Sequence, residues 1–164
     1  MKNRIKLMCL AGIFTALIYV FTAYVHIPSH TGYTHIGDAF IYLAASLLPL
    51  PYAIFAGSIG ALLADLFTGY AIWAPATVII KAAAVLFFSS KRKMLGVRNL
   101  TALIPASFLC IGGYYLYEVI ITANPVAPLT GIPGYVVQSL LSSTVFIVLA
   151  LIFDKTKLLS YLSR

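Results

Sequence analysis

Residues 7–25 read LMCLAGIFTALIYVFTAYV, a stretch without a single charged side chain. An apolar helix of about 20 residues is long enough to cross the hydrocarbon core of a bilayer. Similar stretches recur along the chain, separated by proline, glycine and polar clusters. They are continuous rather than alternating, unlike the strands of an outer-membrane barrel. This pattern predicts six membrane-spanning helices, near residues 7–25, 37–49, 52–70, 75–90, 100–122 and 135–153.

The composition of the whole chain is also that of an integral membrane protein. Of its 164 residues, 62% are hydrophobic and 9% are charged, whereas a soluble domain has about 25% charged residues. Six crossings of about 20 residues leave roughly 44 residues for all loops and both ends. A second folded domain does not fit. We therefore predict an all-α integral membrane protein, a six-helix bundle in which residues 1–164 form a single membrane domain.

The basic residues indicate the orientation of this bundle. They lie beside apolar segments rather than on a soluble basic face, so the net charge of +7 does not indicate nucleic acid. With six spans, ten of the eleven cations fall on one side, which the positive-inside rule makes cytoplasmic. These ten are Lys2, Arg4, Lys6, Lys91, Arg92, Lys93, Arg98, Lys155, Lys157 and Arg164. The prediction is a multi-pass protein of the bacterial cytoplasmic membrane, surrounded by lipid, with both termini cytoplasmic.

Four ionisable residues lie within or at the ends of the predicted spans. A charge in the membrane costs roughly 2.5–3.5 kcal/mol on insertion scales, so these residues are candidates for function or for mutual pairing. Asp38, Asp65, Lys81 and Glu118 all fall in the outer half of the bundle. We expect them to surround a polar cavity open to the outside. The alternative is that Lys81 neutralises Asp65 or Glu118 in a buried pair that holds the helices in register.

Aromatic and amide side chains accompany these charges. Tyr114, Tyr117 and Glu118 share one face of a helix. Aromatic rings beside a carboxylate suit a flat, nitrogen-containing ligand, although an interfacial aromatic belt is a competing explanation. Trp73 is either an interfacial anchor or a stacking platform. Gln138 makes either a hydrogen bond between helices or a contact with a ligand.

The first outer loop is unusually polar for such a hydrophobic chain. Residues 26–38 read HIPSHTGYTHIGD and contain every histidine. We interpret this segment as a loop that covers a ligand, with Gly32 and Gly37 permitting tight turns. A divalent metal or a simple solvated loop are the alternatives. The histidine spacing matches no named zinc signature, and we predict no metal and no cofactor.

Motifs for ATP hydrolysis and for hydrolytic catalysis are absent from the sequence. There is no GxxxxGK[ST] phosphate loop, nucleophile elbow or metalloprotease helix. The chain is therefore not predicted to be an enzyme, and a pocket without a motor indicates a binding subunit driven by a partner. Small residues of the first span, either packed internally or exposed for docking, are candidates for that contact: Ala11, Gly12, Thr15 and Ala16.

Several motifs resemble the substrate-binding S components of energy-coupling factor (ECF) vitamin transporters. They are Gly37-Asp38-Ala39, Ala64-Asp65-Leu66, Gly69-Tyr70, Trp73-Ala74-Pro75-Ala76-Thr77 and Lys81. The six-span layout extends the similarity over nearly the whole chain. The resemblance implies capture of a vitamin at the outer face, followed by association with a transmembrane coupling protein and two ATPase subunits.

The resemblance also implies roles for individual residues. The first outer loop acts as a gate in such proteins, and the outer ends of later spans line the pocket. The predicted substrate-binding residues are His30, Tyr33, His35, Asp38, Asp65, Trp73, Lys81, Tyr114, Tyr117, Glu118, Asn124 and Gln138. The docking stripe of the family, two alanines four residues apart, is matched only loosely, by Gly12 and Ala16.

Within this group, the sequence is most similar to the branch that takes hydroxymethylpyrimidine and vitamin B6 compounds. The predicted ligand is therefore a small heterocyclic vitamin or precursor, although riboflavin is not excluded. The nickel and cobalt branch has a histidine after the initiator methionine. This chain has Lys2 at that position, which argues against that branch.

Two other functions are compatible with the sequence. The intramembrane charges could serve a stand-alone carrier coupled to protons or cations. Alternatively, His26, His30 and His35 could serve a small metal-dependent membrane enzyme.

Overall fold

The structure, a computed structural model, describes residues 2–28, 33–89 and 93–156. Within these ranges the chain forms six α-helices and one two-stranded hairpin. The elements are α1 (Lys2–Ala23), β1 (His26–Pro28), β2 (Tyr33–His35), α2 (Gly37–Leu47), α3 (Leu50–Phe67), α4 (Ala74–Val85), α5 (Val97–Thr122) and α6 (Ile132–Lys155). Short 3-10 helices, Ala71–Trp73 and Ala127–Gly131, precede α4 and α6.

Four segments of the described chain are long and apolar enough to cross a bilayer. They are Arg4–Ala23, Leu50–Phe67, Val97–Thr122 and Ala127–Lys155. The helices α2 and α4 are shorter, with 11 and 12 residues. A membrane protein built from several apolar helices is thus confirmed, whereas complete crossing by α2 and α4 and cytoplasmic termini stay predictions.

The turn between α2 and α3 follows from two prolines. Leu48 has an extended backbone, with φ −92° and ψ 152°, as expected of the residue before Pro49. Pro51 lies in the first turn of α3, where a missing N–H breaks no helical hydrogen bond. Consecutive residues 37–46 of α2 are all buried, so this short helix is surrounded by its neighbours and forms the centre of the bundle.

Close packing of α1 against α3 depends on a glycine. A Cβ placed on Gly60 would lie 2.8 Å from both Ile18 Cβ and the Thr15 carbonyl oxygen. Small residues allow helix backbones to approach in this way where lipid provides no hydrophobic drive. On α1, Ala11 and Ile18 are buried, whereas Gly12 is exposed.

The segment predicted as the first outer loop contains a β-hairpin that the sequence analysis did not predict. The antiparallel register pairs His26 with His35, Ile27 with Thr34 and Pro28 with Tyr33. Strands of three residues are too short to give a recognisable alternating pattern.

Candidate functional site

A cavity of about 30 Å³ lies directly beneath the β-hairpin. It is at the end of the bundle that the sequence analysis assigns to the outside. Side chains from the hairpin, from α3 and from the segments that follow it form the walls. The lining residues are Tyr33, His35, Asp65, Trp73, Thr77, Tyr114, Tyr135 and Gln138. Six of these were predicted as substrate-binding residues, so the fold brings half of the predicted set to one cavity.

Tyr33 closes the cavity from the hairpin side. Its hydroxyl donates a hydrogen bond of 2.7 Å to Asp65 Oδ1, and its ring packs at centroid distances of 4.6 Å from Tyr70 and 4.9 Å from His26. Burial and the neighbouring carboxylate raise the pKa of Tyr33 well above its ordinary value, so the phenol remains a donor. The second carboxylate oxygen of Asp65, Oδ2, is buried without a well-formed hydrogen bond.

His35 fixes the other end of β2. Its Nδ1 accepts a hydrogen bond of 3.1 Å from the backbone N–H of Gly37. Burial lowers the pKa of His35 to about 4, so the ring is neutral at pH 7. A Cβ on Gly37 would overlap the Thr22 hydroxyl, which explains a glycine at this position. The His35 carbonyl accepts a 3.4 Å hydrogen bond from the Ser142 hydroxyl and so ties the hairpin to α6.

The wall opposite the hairpin is aromatic. Tyr114 stacks against Tyr135, with centroids 5.5 Å apart and an interplanar angle of 23°. Trp73 meets Tyr114 edge to face at 5.9 Å. The Thr77 and Tyr114 hydroxyls are 3.1 Å apart and hydrogen bonded. These rings offer flat surfaces on which a heterocycle can stack.

Beneath the cavity, a buried ion pair joins three helices. The Lys81 ammonium of α4 lies 2.7 Å from Asp38 Oδ1 and 2.9 Å from Oδ2, at the start of α2. Gln138 of α6 donates to the same Oδ2 at 3.0 Å. The alternative in which Lys81 pairs with Asp65 or Glu118 is therefore wrong. Asp38 is the partner because its helix lies at the centre of the bundle, facing both α4 and α6.

Besides the ion pair of Asp38 and Lys81, two more predicted site residues, Tyr117 and Glu118, are absent from the lining of this cavity. Tyr117 packs against Trp73 at 5.8 Å and donates a hydrogen bond to the Ile72 carbonyl. Glu118 is buried and accepts a 3.3 Å hydrogen bond from Tyr135. Both support the aromatic wall from behind.

Asn124 has a local role in its loop. It is exposed, and its Oδ1 accepts hydrogen bonds from the N–H groups of Val126 and Ala127. This is a turn-capping arrangement typical of asparagine. A remaining predicted residue, His30, lies outside the described residues.

Two lining residues, Thr77 and Tyr135, were missed as site residues. Thr77 precedes Lys81 by four residues, and Tyr135 precedes Gln138 by three. Side chains at these spacings share a helical face. The sequence signal that could have identified both residues is therefore their spacing from Lys81 and Gln138, which had already been selected.

The histidines do not assemble a metal site in the described part of the chain. His26 and His35 face each other across the hairpin. Within residues 2–28, 33–89 and 93–156, no three His, Cys, Asp or Glu side chains are placed to hold a metal ion.

A second concave surface lies along the N-terminal half of α1, away from the hairpin. This groove of about 360 Å³ is apolar and is lined by Met8, Ala11, Gly12, Pro51, Tyr52 and Phe55. Gly12 and Ala16 are both exposed, and a Cβ on Gly12 would meet no atom within 4 Å. The Thr15 hydroxyl instead donates to the Ala11 carbonyl within the helix, at 2.8 Å.

Comparisons with known proteins agree with this architecture. A solved structure of the S component of a bacterial ECF transporter is similar in fold, with a TM-score of 0.65 and 21% sequence identity. The match covers 99% of this chain and 98% of that one. No curated protein matches the sequence significantly. A family model described as "ECF-type riboflavin transporter, S component" matches residues 2–155. Because this match spans nearly the whole sequence, the chain belongs to the S-component family of ECF-type riboflavin transporters, a family of transport subunits rather than enzymes.

Proposed function

We propose that this chain is the substrate-capture subunit of an ECF-type importer for a small heterocyclic vitamin or precursor. A compound such as hydroxymethylpyrimidine, or a pyridoxine-like compound, is the expected ligand. The observation that carries this proposal is the aromatic cavity with a buried acceptor, Asp65 Oδ2, that has no well-formed hydrogen bond. Buried polar atoms are nearly always satisfied, so such an atom is a candidate ligand contact.

The size of the cavity favours a ligand with one ring. A space of about 30 Å³ holds about one water molecule, so any vitamin must displace side chains as it binds. A single six-membered ring requires a smaller displacement than the three fused rings of riboflavin.

The hairpin is proposed to act as the gate. Tyr33 satisfies Asp65 Oδ1 in the closed state. A ligand that donates to this carboxylate takes over the role of the phenol or uses the neighbouring Oδ2. The two strands of the hairpin then close over the bound ligand and exclude water.

A stand-alone carrier is less well supported, because two of the three intramembrane charges it would need are already engaged. Lys81 is held by Asp38, and Glu118 accepts from Tyr135. Membership of an S-component family also favours a subunit energised by partners.

The proposed partners are a transmembrane coupling protein and two ATPase subunits, in the bacterial cytoplasmic membrane. The apolar groove between α1 and α3, together with the exposed Gly12 and Ala16, is the proposed docking surface. Its small residues allow a partner helix to approach closely.

A binding assay on the purified protein tests the capture function. Trp73 is the single tryptophan of the chain and lines the cavity, so its fluorescence reports occupancy directly. We expect sub-micromolar binding of hydroxymethylpyrimidine or pyridoxine and weaker binding of riboflavin. Native mass spectrometry identifies any molecule that co-purifies.

Two variants test whether the ligand binds in this cavity. Asp65→Asn should weaken binding by about tenfold or more, because a charge-assisted hydrogen bond is lost, whereas Tyr115→Phe, remote from the cavity, should not. No binding across a full vitamin panel would refute the capture function. Tighter binding of riboflavin would refute the one-ring substrate.

Docking is tested separately by co-purification with the coupling protein and ATPases. Gly12→Leu and Ala16→Leu should reduce complex formation while leaving ligand binding unchanged. Gly112→Leu is the matched control, because a Cβ at that position of α5 also meets nothing within 4 Å. Equal losses in all three variants would refute the assignment of the docking surface.

A further inference from the structure

The orientation of the Gln138 amide is fixed from below the cavity. Asp38 Oδ2 accepts hydrogen bonds from Gln138 Nε2 at 3.0 Å and from Lys81 Nζ at 2.9 Å. A carboxylate only accepts, so the amide must present its NH2 group to Asp38. The carbonyl oxygen, Oε1, then points away from Asp38. Gln138 lines the cavity, and Oε1 accepts no hydrogen bond from the described residues.

The same carboxylate keeps the charge of Lys81 away from the cavity. Both Asp38 oxygens lie within 2.9 Å of the ammonium. Lys81 is 1% exposed and is not among the lining residues. The ammonium also lies 5.1 Å from the centroid of the Tyr114 ring and 3.8 Å from Cys110 Sγ.

The residues that do line the cavity carry only one formal charge, that of Asp65. His35 accepts a hydrogen bond at Nδ1 and is a neutral ring. The other six lining side chains are uncharged. Among the described residues, the cavity therefore offers the ligand two acceptors without a well-formed hydrogen bond, Asp65 Oδ2 and Gln138 Oε1, and no lining cation.

We propose that Asp38 is a positioning residue that sets the specificity of the cavity. By turning Gln138 Oε1 towards the ligand and holding Lys81 below it, Asp38 selects compounds that donate hydrogen bonds and rejects anionic compounds. The substrate is then an unphosphorylated, neutral or cationic heterocycle with amino and hydroxyl donors. A phosphate ester of the same compound must be hydrolysed by a phosphatase before capture. This inference rests on the proposed function, because it concerns the ligand of the same cavity.

Pairs of compounds that differ only in a phosphate group provide the first test. The pairs are hydroxymethylpyrimidine, pyridoxine and riboflavin, each with its monophosphate, measured by Trp73 fluorescence on the purified wild-type protein. Whichever parent compound binds, its monophosphate should bind about a hundredfold more weakly, because like charges are brought together without a compensating cation. The analogue of hydroxymethylpyrimidine with hydrogen in place of the amino group should bind about tenfold more weakly, since it lacks one donor.

Two variants then separate the role of Asp38 from simple structural support. In Asp38→Asn, the Lys81 charge is no longer neutralised and the new amide can donate to Gln138 Oε1. Discrimination against the monophosphate should therefore fall by about tenfold or more. Gln138→Leu retains the ion pair and should lose the preference for the amino compound over its amino-free analogue. Ser139→Ala, a buried neighbour on α6 that does not line the cavity, is the control and should change neither ratio.

The outcomes are distinguishable. If no parent compound binds, the proposed function fails. If a parent compound binds and its monophosphate binds equally well to the wild-type protein, the capture function stands and the specificity inference is overturned. Should Asp38→Asn fail to fold, two affinity ratios still decide the question. They are the ratio of parent compound to monophosphate in the wild-type protein and the ratio of amino compound to amino-free analogue in Gln138→Leu.

Discussion

The Lys81 ammonium lies 2.7 Å from Asp38 Oδ1, and both side chains are 1% exposed at the centre of the bundle. Two charges removed from solvent so completely depend on each other, because either one alone would lack a compensating partner. The pair also joins α2 to α4 and, through Gln138, to α6. It is therefore a structural element beneath the cavity as well as a determinant of its charge.

Breaking this pair from one side should destabilise the protein strongly. Lys81→Met or Asp38→Asn should each lower the free energy of unfolding by about 3–5 kcal/mol, since one buried group is left uncompensated. Thermal unfolding in detergent, followed by Trp73 fluorescence, measures the loss. The double variant Asp38→Leu/Lys81→Met should recover much of it. Lys93→Met, at an exposed position, is the control, and additive single losses would contradict the pairing.

Removing the Tyr33 hydroxyl should loosen the gate. Tyr33→Phe loses the 2.7 Å hydrogen bond to Asp65 and leaves a buried carboxylate with one donor fewer. We expect ligand association and dissociation both to become faster by about fivefold to tenfold, because such a hydrogen bond to a charged group contributes about 1.5 kcal/mol. Stopped-flow fluorescence measures the two rates. Tyr115→Phe loses a tyrosine hydrogen bond to the Pro125 carbonyl, away from the cavity, and should leave both rates unchanged. Unchanged kinetics in Tyr33→Phe would mean that the hairpin does not limit access.

The helical part of the fold was predictable because its physical signals are local and strong. Long apolar runs with few charges, and the prolines at positions 49 and 51, indicate six helices and the tight turn between the second and third. The hairpin was not predictable, because strands of three residues pair through the backbone and leave little pattern in the side chains.

The sequence identified many residues of the candidate site but not which of them pair with each other. The cost of charge in a membrane singled out Asp38 and Lys81, yet the sequence alone suggested Asp65 or Glu118 as the partner of the lysine. The choice depends on the central position of the short α2, which is a tertiary property. Asn124 was selected from the sequence as a substrate-binding residue, whereas in the structure its side-chain oxygen caps its own turn.

Gly60 should be intolerant of any side chain. A Cβ there would lie 2.8 Å from Ile18 Cβ and from the Thr15 carbonyl, and neither atom belongs to the flexible end of a side chain. Gly60→Ala should therefore destabilise the protein by about 1–3 kcal/mol, as expected for overpacking. Gly112→Ala is matched to it, being a helical glycine whose Cβ would meet nothing within 4 Å. That control should be neutral or slightly stabilising, because alanine has the higher helix propensity. Equal thermal stability of the two variants would contradict the close contact between α1 and α3.

Acidification should weaken the closed hairpin through His35. Burial lowers the pKa of His35 from 6.5 to about 4. Asp38 opposes this shift, whereas Lys81 and His26 add to it. Between these pH values the unfolded chain takes up a proton that the folded chain does not. The free energy of unfolding should therefore fall as the pH decreases from about 6.5 to about 4, by up to about 3 kcal/mol from this residue.

The variant His35→Asn isolates this contribution. An asparagine Oδ1 can replace the Nδ1 acceptor of the Gly37 N–H, but it does not titrate. Thermal unfolding measured from pH 7.5 to pH 4 should show a steep decline for the wild-type protein and for His26→Asn, the control on the paired strand. The decline should be flatter for His35→Asn. If His35→Asn loses stability with the wild-type slope, then other groups govern the acid sensitivity, and the buried neutral imidazole is not what holds the hairpin closed.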